Sequence, residues 1–285
     1  MKTKLMQLAI LVLTLAFTLT LSRDAQSTSY LTAPALSSYD VTTSGFTVEA
    51  WVKVRSKPGF DPRIVMADNG CNCGIENWSL FVCHLSGGQC SSPGDVGFGF
   101  ADNGVGYEIV SSVSIDDGQF HHVAATYDGN TMRIYIDGTL RASKPVGARQ
   151  VNVGGGPIVI GNMTGFNNDF DGRIDEFRIW NVARSQTDIQ NNMSVEISPS
   201  SSGLVAYWRL NGSYSDLTSS GNTLTPGGNV SFQTGQLGQA ADIVNPDGSS
   251  VPALGTRGVL LWLGLAGLGA WLMNRRASRR RSDES

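Results

Sequence analysis

FHHVAATYDGNTMRIYIDGTLRAS, Phe120–Ser143, decides the fold class. His122–Tyr127 reads as a strand that runs into Asp128-Gly129-Asn130 and returns as Met132–Ile136. That strand meets Asp137-Gly138 and continues as Thr139–Ser143. Asp-Gly tolerates the positive φ of a tight hairpin turn, so the stretch predicts two consecutive hairpins.

The pattern continues outward on both sides. In Phe46–Val54 (FTVEAWVKV), Phe46, Val48, Ala50, Val52 and Val54 share one face, and Thr47, Glu49, Trp51 and Lys53 take the other. A period of two is the mark of a strand with one face on a core. Trp78–Cys83, Val96–Phe100, Ile158–Asn162, Arg173–Trp180 and Leu204–Leu210 read as further strands, with Asp171-Gly172 as a turn into Arg173. Only Ser185–Met193 looks helical, with Ser185 and Asp188 spaced as a capping box. With 34 glycines and little helix, the body is expected to be an all-β sandwich.

Four blocks occur in an order that resembles laminin-G-like, concanavalin A-like jelly-roll domains: FTVEAWVKV, the Phe120–Ser143 stretch, IVIGN followed by FDGRIDEFRIWNVARSQTDI, and GLVAYWRLNGSYSDLTSSGNTL (Gly203–Leu224). The resemblance covers roughly Tyr30 to Phe232, implies one domain over residues 24–236, and implies binding of a glycan or protein ligand. It also implies calcium-assisted sites at the sandwich rim. Calcium takes six to eight oxygens, and Asn162–Asp171 (NMTGFNNDFD) is the densest cluster of Asn and Asp. Asn77, Asn162 and Asp169 are the candidate ligands, with Asn77 approaching from a neighbouring strand; turn formation is the competing role for these residue types.

Cys71, Cys73, Cys83 and Cys90 lie within one short stretch, and an even cluster in an exported chain reads as two disulfides. Cys71 and Cys73 are expected to bond to Cys83 and Cys90, in either order. A zinc site with His84 is the alternative, but the spacing lacks paired C-x₂₋₄-C knuckles.

Sandwiches of the resembled family also host glycosidases. A retaining pair needs two carboxylates ~5 Å apart on one face. Glu49, Glu76, Glu108, Glu176 and Glu196 show no such spacing, and in a regular strand Asp175 and Glu176 point to opposite faces, as do His121 and His122. A non-enzymatic role is expected. The aromatic residues Trp51, Tyr107, Tyr127, Tyr135 and Trp208 read as core or sheet cover rather than as sugar platforms.

The ends read as addresses. Lys2, Lys4 and Leu8–Leu21 form a signal peptide over residues 1–22. Residues 237–257 read as a linker, Gly258–Met273 as a transmembrane helix, and residues 274–285 as a basic cytoplasmic tail. Those 16 apolar residues cover ~24 Å, enough to span with snorkelling arginines. Val251-Pro252-Ala253-Leu254 ahead of an apolar helix and an arginine cluster resembles PEP-CTERM and IPTL-CTERM sorting tails. That resemblance implies an exosortase-type transpeptidase as a partner, the alternative being a permanent anchor. The chain is therefore expected on the outer side of a membrane, anchored or released. Taking away residues 1–22 and 251–285 removes eight of 21 basic and two of 24 acidic residues, leaving a body of net −9. Such a body offers no basic stripe for nucleic acid. A structural envelope or matrix component is the other reading.

Overall fold

The computed structural model describes residues 28–34, 45–56, 61–67, 77–84, 90–151, 156–162 and 169–245. The expected signal peptide (1–22), sorting motif (251–254) and apolar C-terminal segment (258–273) lie outside them. Among the described residues no helix is long and apolar enough to cross a membrane.

The described chain is a two-sheet sandwich of fifteen strands. Seven strands form the first sheet, in the order β13 (Thr225–Gly227), β1 (Tyr30–Ala33), β10 (Ile158–Ile160), β3 (Arg63–Ala67), β4 (Trp78–Val82), β5 (Asp95–Asp102), β6 (Val105–Ser114). The second runs β14 (Val230–Thr234), β15 (Gln239–Ile243), β11 (Asp171–Trp180), β2 (Phe46–Ser56), β7 (His121–Tyr127), β8 (Thr131–Ile136), β9 (Thr139–Pro145). A further strand, β12 (Leu204–Trp208), pairs with β11. All pairings are antiparallel, and the two hairpins expected within Phe120–Ser143 form as β7–β8 and β8–β9.

The core follows from the alternation. Phe46, Val48, Ala50, Val52 and Val54 of β2 face Trp78, Leu80, Val82, Val96 and Phe98 of the other sheet in one cluster. Phe177 and Trp208 are cross-strand partners whose rings stack at 5.4 Å and 8°. Such pairs add to plain area burial.

The only helix among the described residues, α1 (Gln186–Asn192), starts where expected: Ser185 accepts from the Asp188 N–H, and the Asp188 carboxylate accepts from the Ser185 N–H. Its Ile189 packs on Ala124 and Tyr135, so α1 lies on the outer face of the second sheet.

Two expectations are corrected. The sandwich does not end at residue 236: β15 sits between β14 and β11, inside what read as a linker. Short QAADI carries too little alternation to stand out. Asp171 and Gly172 belong to β11 rather than to a turn, and the register against β2 shifts between them. A Cβ on Gly172 would lie 2.2 Å from the Lys53 carbonyl oxygen, so glycine here permits close strand approach.

Candidate ligand-binding site

Asn162 follows β10 and Asp169 precedes β11, flanking residues 163–168. The Phe170 N–H donates to Gly161 O (2.8 Å) and the Gly161 N–H to Ile64 O (3.0 Å), which draws the two flanks together. Phe170 is fully buried in the core and anchors this neck. Asn162 and Asp169 are therefore neighbours at the rim, both buried.

Asp169 stands apart from the other rim carboxylates. Asp171 is met by Arg55, the Ser56 hydroxyl (2.6 Å) and the Asn245 N–H (3.2 Å), and Asp242 by Arg55 and Arg173. Asp216 accepts from the N–H groups of Tyr207, Thr218 and Asn222, which makes it a loop organiser. The Oδ1 atom of Asp169 is buried and has no hydrogen-bond partner among the described residues. Burial pushes its carboxyl up to about 6. A buried oxygen without compensation is what a hard cation completes.

Asn77 does not join them. Its N–H donates to Ala67 O, at one end of β3, whereas Gly161 meets Ile64 at the other. By register Asn77 lies level with position 68 and Asn162 with position 63, ~16 Å apart along the strand direction. The described residues thus fit a calcium ion in part: Asp169 and Asn162 offer oxygens, and Asn77 is removed from the set.

The cysteine expectation is corrected as well. Cys83 bonds to Cys90, with Cα atoms 5.8 Å apart, so neither pairs with Cys71 or Cys73. Cys83 directly follows β4, and its N–H and C=O pair with Asp95 and Gly94, which brings the chain ahead of β5 back beside it. Asp61 is the one acid near both sulfurs among the described residues, but with the sulfurs in a disulfide no thiolate is left for zinc. Cys71 and Cys73 lie outside the described residues.

On the second sheet the charged outer face is not solvent-facing. α1 and residues 193–202 cover it, and an ionic cluster fills the interface. The Glu49 Oε1 atom accepts from Trp180 Nε1 (3.0 Å) and Arg184 Nη1 (3.3 Å), with Arg178 Nη1 at 3.7 Å. Arg178 also donates to Glu176 (2.6 Å) and to the carbonyls of Asn192 (2.9 Å) and Val195 (2.8 Å). Beside them His122 is edge-on to Trp51, and burial, reinforced by Arg178, pulls its imidazole down to about 3.

The expectation that Asp175 and Glu176 take opposite faces fails here. Glu176 has φ 52° in a bulge against β2, so both side chains leave the core face. Glu176 accepts from Tyr207 and Arg178, while Asp175 Oδ2 accepts from the N–H groups of Gln236 and Leu237 (2.8 Å each). Both carboxyls are buried. His121 and His122 do diverge: His121 lies between Asp117 (3.1 Å) and Asp137 (2.8 Å). Tyr127 and Trp208 are core, Trp51 and Tyr135 are buried on the covered face, and Arg149 sits 4.6 Å over the ring of half-buried Tyr107.

Residues 25–190 match the family described as the concanavalin A-like lectin/glucanases superfamily. The chain belongs to it. Among curated proteins, this lectin/glucanase-superfamily chain is 36% identical to mouse (Mus musculus) pappalysin-1 over 82 residues, which cover 27% of the chain and 5% of pappalysin-1. Human (Homo sapiens) pappalysin-1 is 32% identical over the same length. The chain thus spans about a twentieth of these relatives. A Bacteroides ovatus protein assigned to carbohydrate binding superposes with a TM-score of 0.56 at 21% identity, over 77% of this chain and 59% of that one. At that identity the likeness bears on fold alone. A heptameric pentraxin of Limulus polyphemus gives a TM-score of 0.49 at 15% identity, over 80% of this chain and 94% of its own.

Proposed function

We propose that the chain is an exported, surface-displayed binding module for glycans, with a calcium-assisted site at the rim around Asn162 and Asp169. The carrying observation is the buried Asp169 Oδ1 atom with no hydrogen-bond partner among the described residues, at a sandwich end in a family that includes lectins. Carbohydrate binding assigned to the Bacteroides ovatus protein supports the ligand class. Calcium held there would supply a hard positive charge for oxygen-rich ligands such as sugar hydroxyls. Asp169 would hold the ion, Asn162 would add an amide oxygen, and Phe170 would keep both in place by its burial.

Catalysis is no part of this reading. Asp175 and Glu176 share a face, but each is buried and hydrogen-bonded within the fold. Display would come from the signal peptide at 1–22 and the apolar segment at 258–273. Val251–Leu254 would be offered to an exosortase-type transpeptidase.

A glycan array read with calcium and with chelator tests the proposal. The expected result is glycan capture that falls on chelation and in Asp169→Asn. No capture in either condition would favour a structural envelope component instead.

A further inference from the structure

Segment 181–203 leaves β11 and returns to it. Trp180 pairs with Leu204, and the Asn181 N–H donates to Gly203 O (2.9 Å), so the segment closes on itself. Gly203 has φ 82°, and a Cβ there would lie 2.9 Å from Val182, so the closure requires glycine. α1 forms one side of the loop and residues 196–202 the other. Between them is a cavity of about 490 Å³, lined wholly from residues 180–202. This is within the usual range for small-molecule sites.

Both walls are held before any ligand arrives. Below α1, Arg178 binds the carbonyls of Asn192 and Val195, and Trp51 Nε1 donates to Met193 O (2.6 Å). Gln190 donates to Gly138 O (2.8 Å) from the side. Opposite, Glu196 pairs with Arg209, and the Ser201 hydroxyl and N–H both donate to Ser198 O (2.7 and 3.0 Å). A preformed site loses less ordering entropy on binding.

The lining chemistry selects a ligand class. Asp188 and Asn192 are one helical turn apart; Asp188 Oδ2 accepts from Ser185 and Asn192 Nδ2 donates to Asp188 O (2.7 Å), which leaves the Oδ1 atom of each as an acceptor for a ligand. Glu196, through the oxygen that Arg209 leaves, and Ser198, Ser201 and Ser202, whose hydroxyl oxygens can still accept, add to these, and Val182 and Ile197 add apolar surface. The one cation in the lining, Arg184, stacks 3.9 Å over Trp180 and is engaged by Glu49 Oε1 (3.3 Å) and Asp188 O (3.1 Å). That guanidinium is already engaged, and the two carboxylates against one cation leave the lining negative, which disfavours an anionic ligand. Donors and acceptors close to small apolar patches suit a neutral sugar ring, which carries hydroxyls on its rim and C–H groups on its faces.

We propose that this cavity is a second glycan subsite, separate from the rim, that takes a neutral sugar. It rests on the glycan-binding reading and deepens it. Its wall from Asn192 onward lies beyond residues 25–190, so this half of the cavity is built by chain outside the family match.

The test is saturation-transfer NMR on the full chain with glucose, galactose, N-acetylglucosamine, maltose, cellobiose and xylobiose, with and without calcium. Variants are Ser202→Trp, which fills the cavity, Asn192→Ala, which removes the amide, and Asp169→Asn at the rim. Melting curves establish that each variant is folded. The expected result is a sugar signal independent of calcium, retained in Asp169→Asn and weakened about tenfold or more in both cavity variants. A signal unchanged by the cavity variants but lost in Asp169→Asn overturns this proposal and leaves the rim reading standing. No signal from any neutral sugar also overturns it, while calcium-dependent capture on the array still decides the rim reading.

Discussion

Asp175 and Glu176 are consecutive in β11, yet both side chains leave the core face, because Glu176 adopts a left-handed backbone at φ 52°. The bulge divides their work. Asp175 fastens the β14–β15 turn through two backbone N–H groups, and Glu176 joins Arg178 and Tyr207 beneath residues 193–202.

Asp175 gives the fold a pH signature. Burial, reinforced by Glu176, pushes its carboxyl up to about 7 from 3.8. A folded-state value above the unfolded one means stability that is complete below the unfolded value and is lost as pH rises through about 7. Asp175→Asn keeps an oxygen to accept both N–H groups and removes the titration. Its melting temperature relative to the parent should therefore be higher at pH 8 than at pH 5. A difference independent of pH would contradict this.

Arg178 holds the covered face together. Replacing it with Met leaves Glu49 and Glu176 buried beside lost partners and frees the carbonyls of Asn192 and Val195. The expected cost is about 3–5 kcal/mol by urea unfolding. Adding Glu176→Gln should restore part of it, because one uncompensated charge is then gone. A double variant no more stable than the single one would show that the charges are not coupled.

Gly172→Ala should destabilise by about 1–3 kcal/mol in the same assay, since the new methyl meets the Lys53 carbonyl and the Phe170 ring at contacts no side chain tolerates. A neutral effect would mean that β11 and β2 can separate there without loss.

Peptide mapping without reduction should recover Cys83 linked to Cys90. Replacing both with Ser should cost about 2–3 kcal/mol, as a loop this short predicts. Recovery of either cysteine linked to Cys71 or Cys73 would contradict the pairing.

Much of the fold was legible because alternation and turn chemistry agree. Phe46–Val54 sorted its residues onto the faces they occupy, Asp137-Gly138 marked a real hairpin, and Ser185 with Asp188 marked the helix start. Tyr30–Ala33, Arg63–Ala67 and Gln239–Ile243 are too short to show a period and gain their place from neighbours remote in sequence. The faces of Asp175 and Glu176 were misread because a period of two assumes a regular strand, which a bulge breaks. Glu49 was placed on the face opposite the core, but nothing in the alternation shows that the return of α1 across the sheet buries it together with His122 and Arg178. At the rim, Asn162 and Asp169 could be paired by the segment they flank, whereas Asn77 could be placed only by strand register. The helix-side cavity had no signal in the sequence, since its walls meet through the closure of a single loop.

Calorimetric calcium titration of the parent and Asp169→Asn, followed by glycan capture on the same samples, decides whether the rim is a calcium-assisted glycan site. The parent should bind calcium and capture glycan in a calcium-dependent way, and Asp169→Asn should lose both while melting as a folded protein. Calcium binding and capture that persist unchanged in Asp169→Asn, or their absence from the parent, would contradict this.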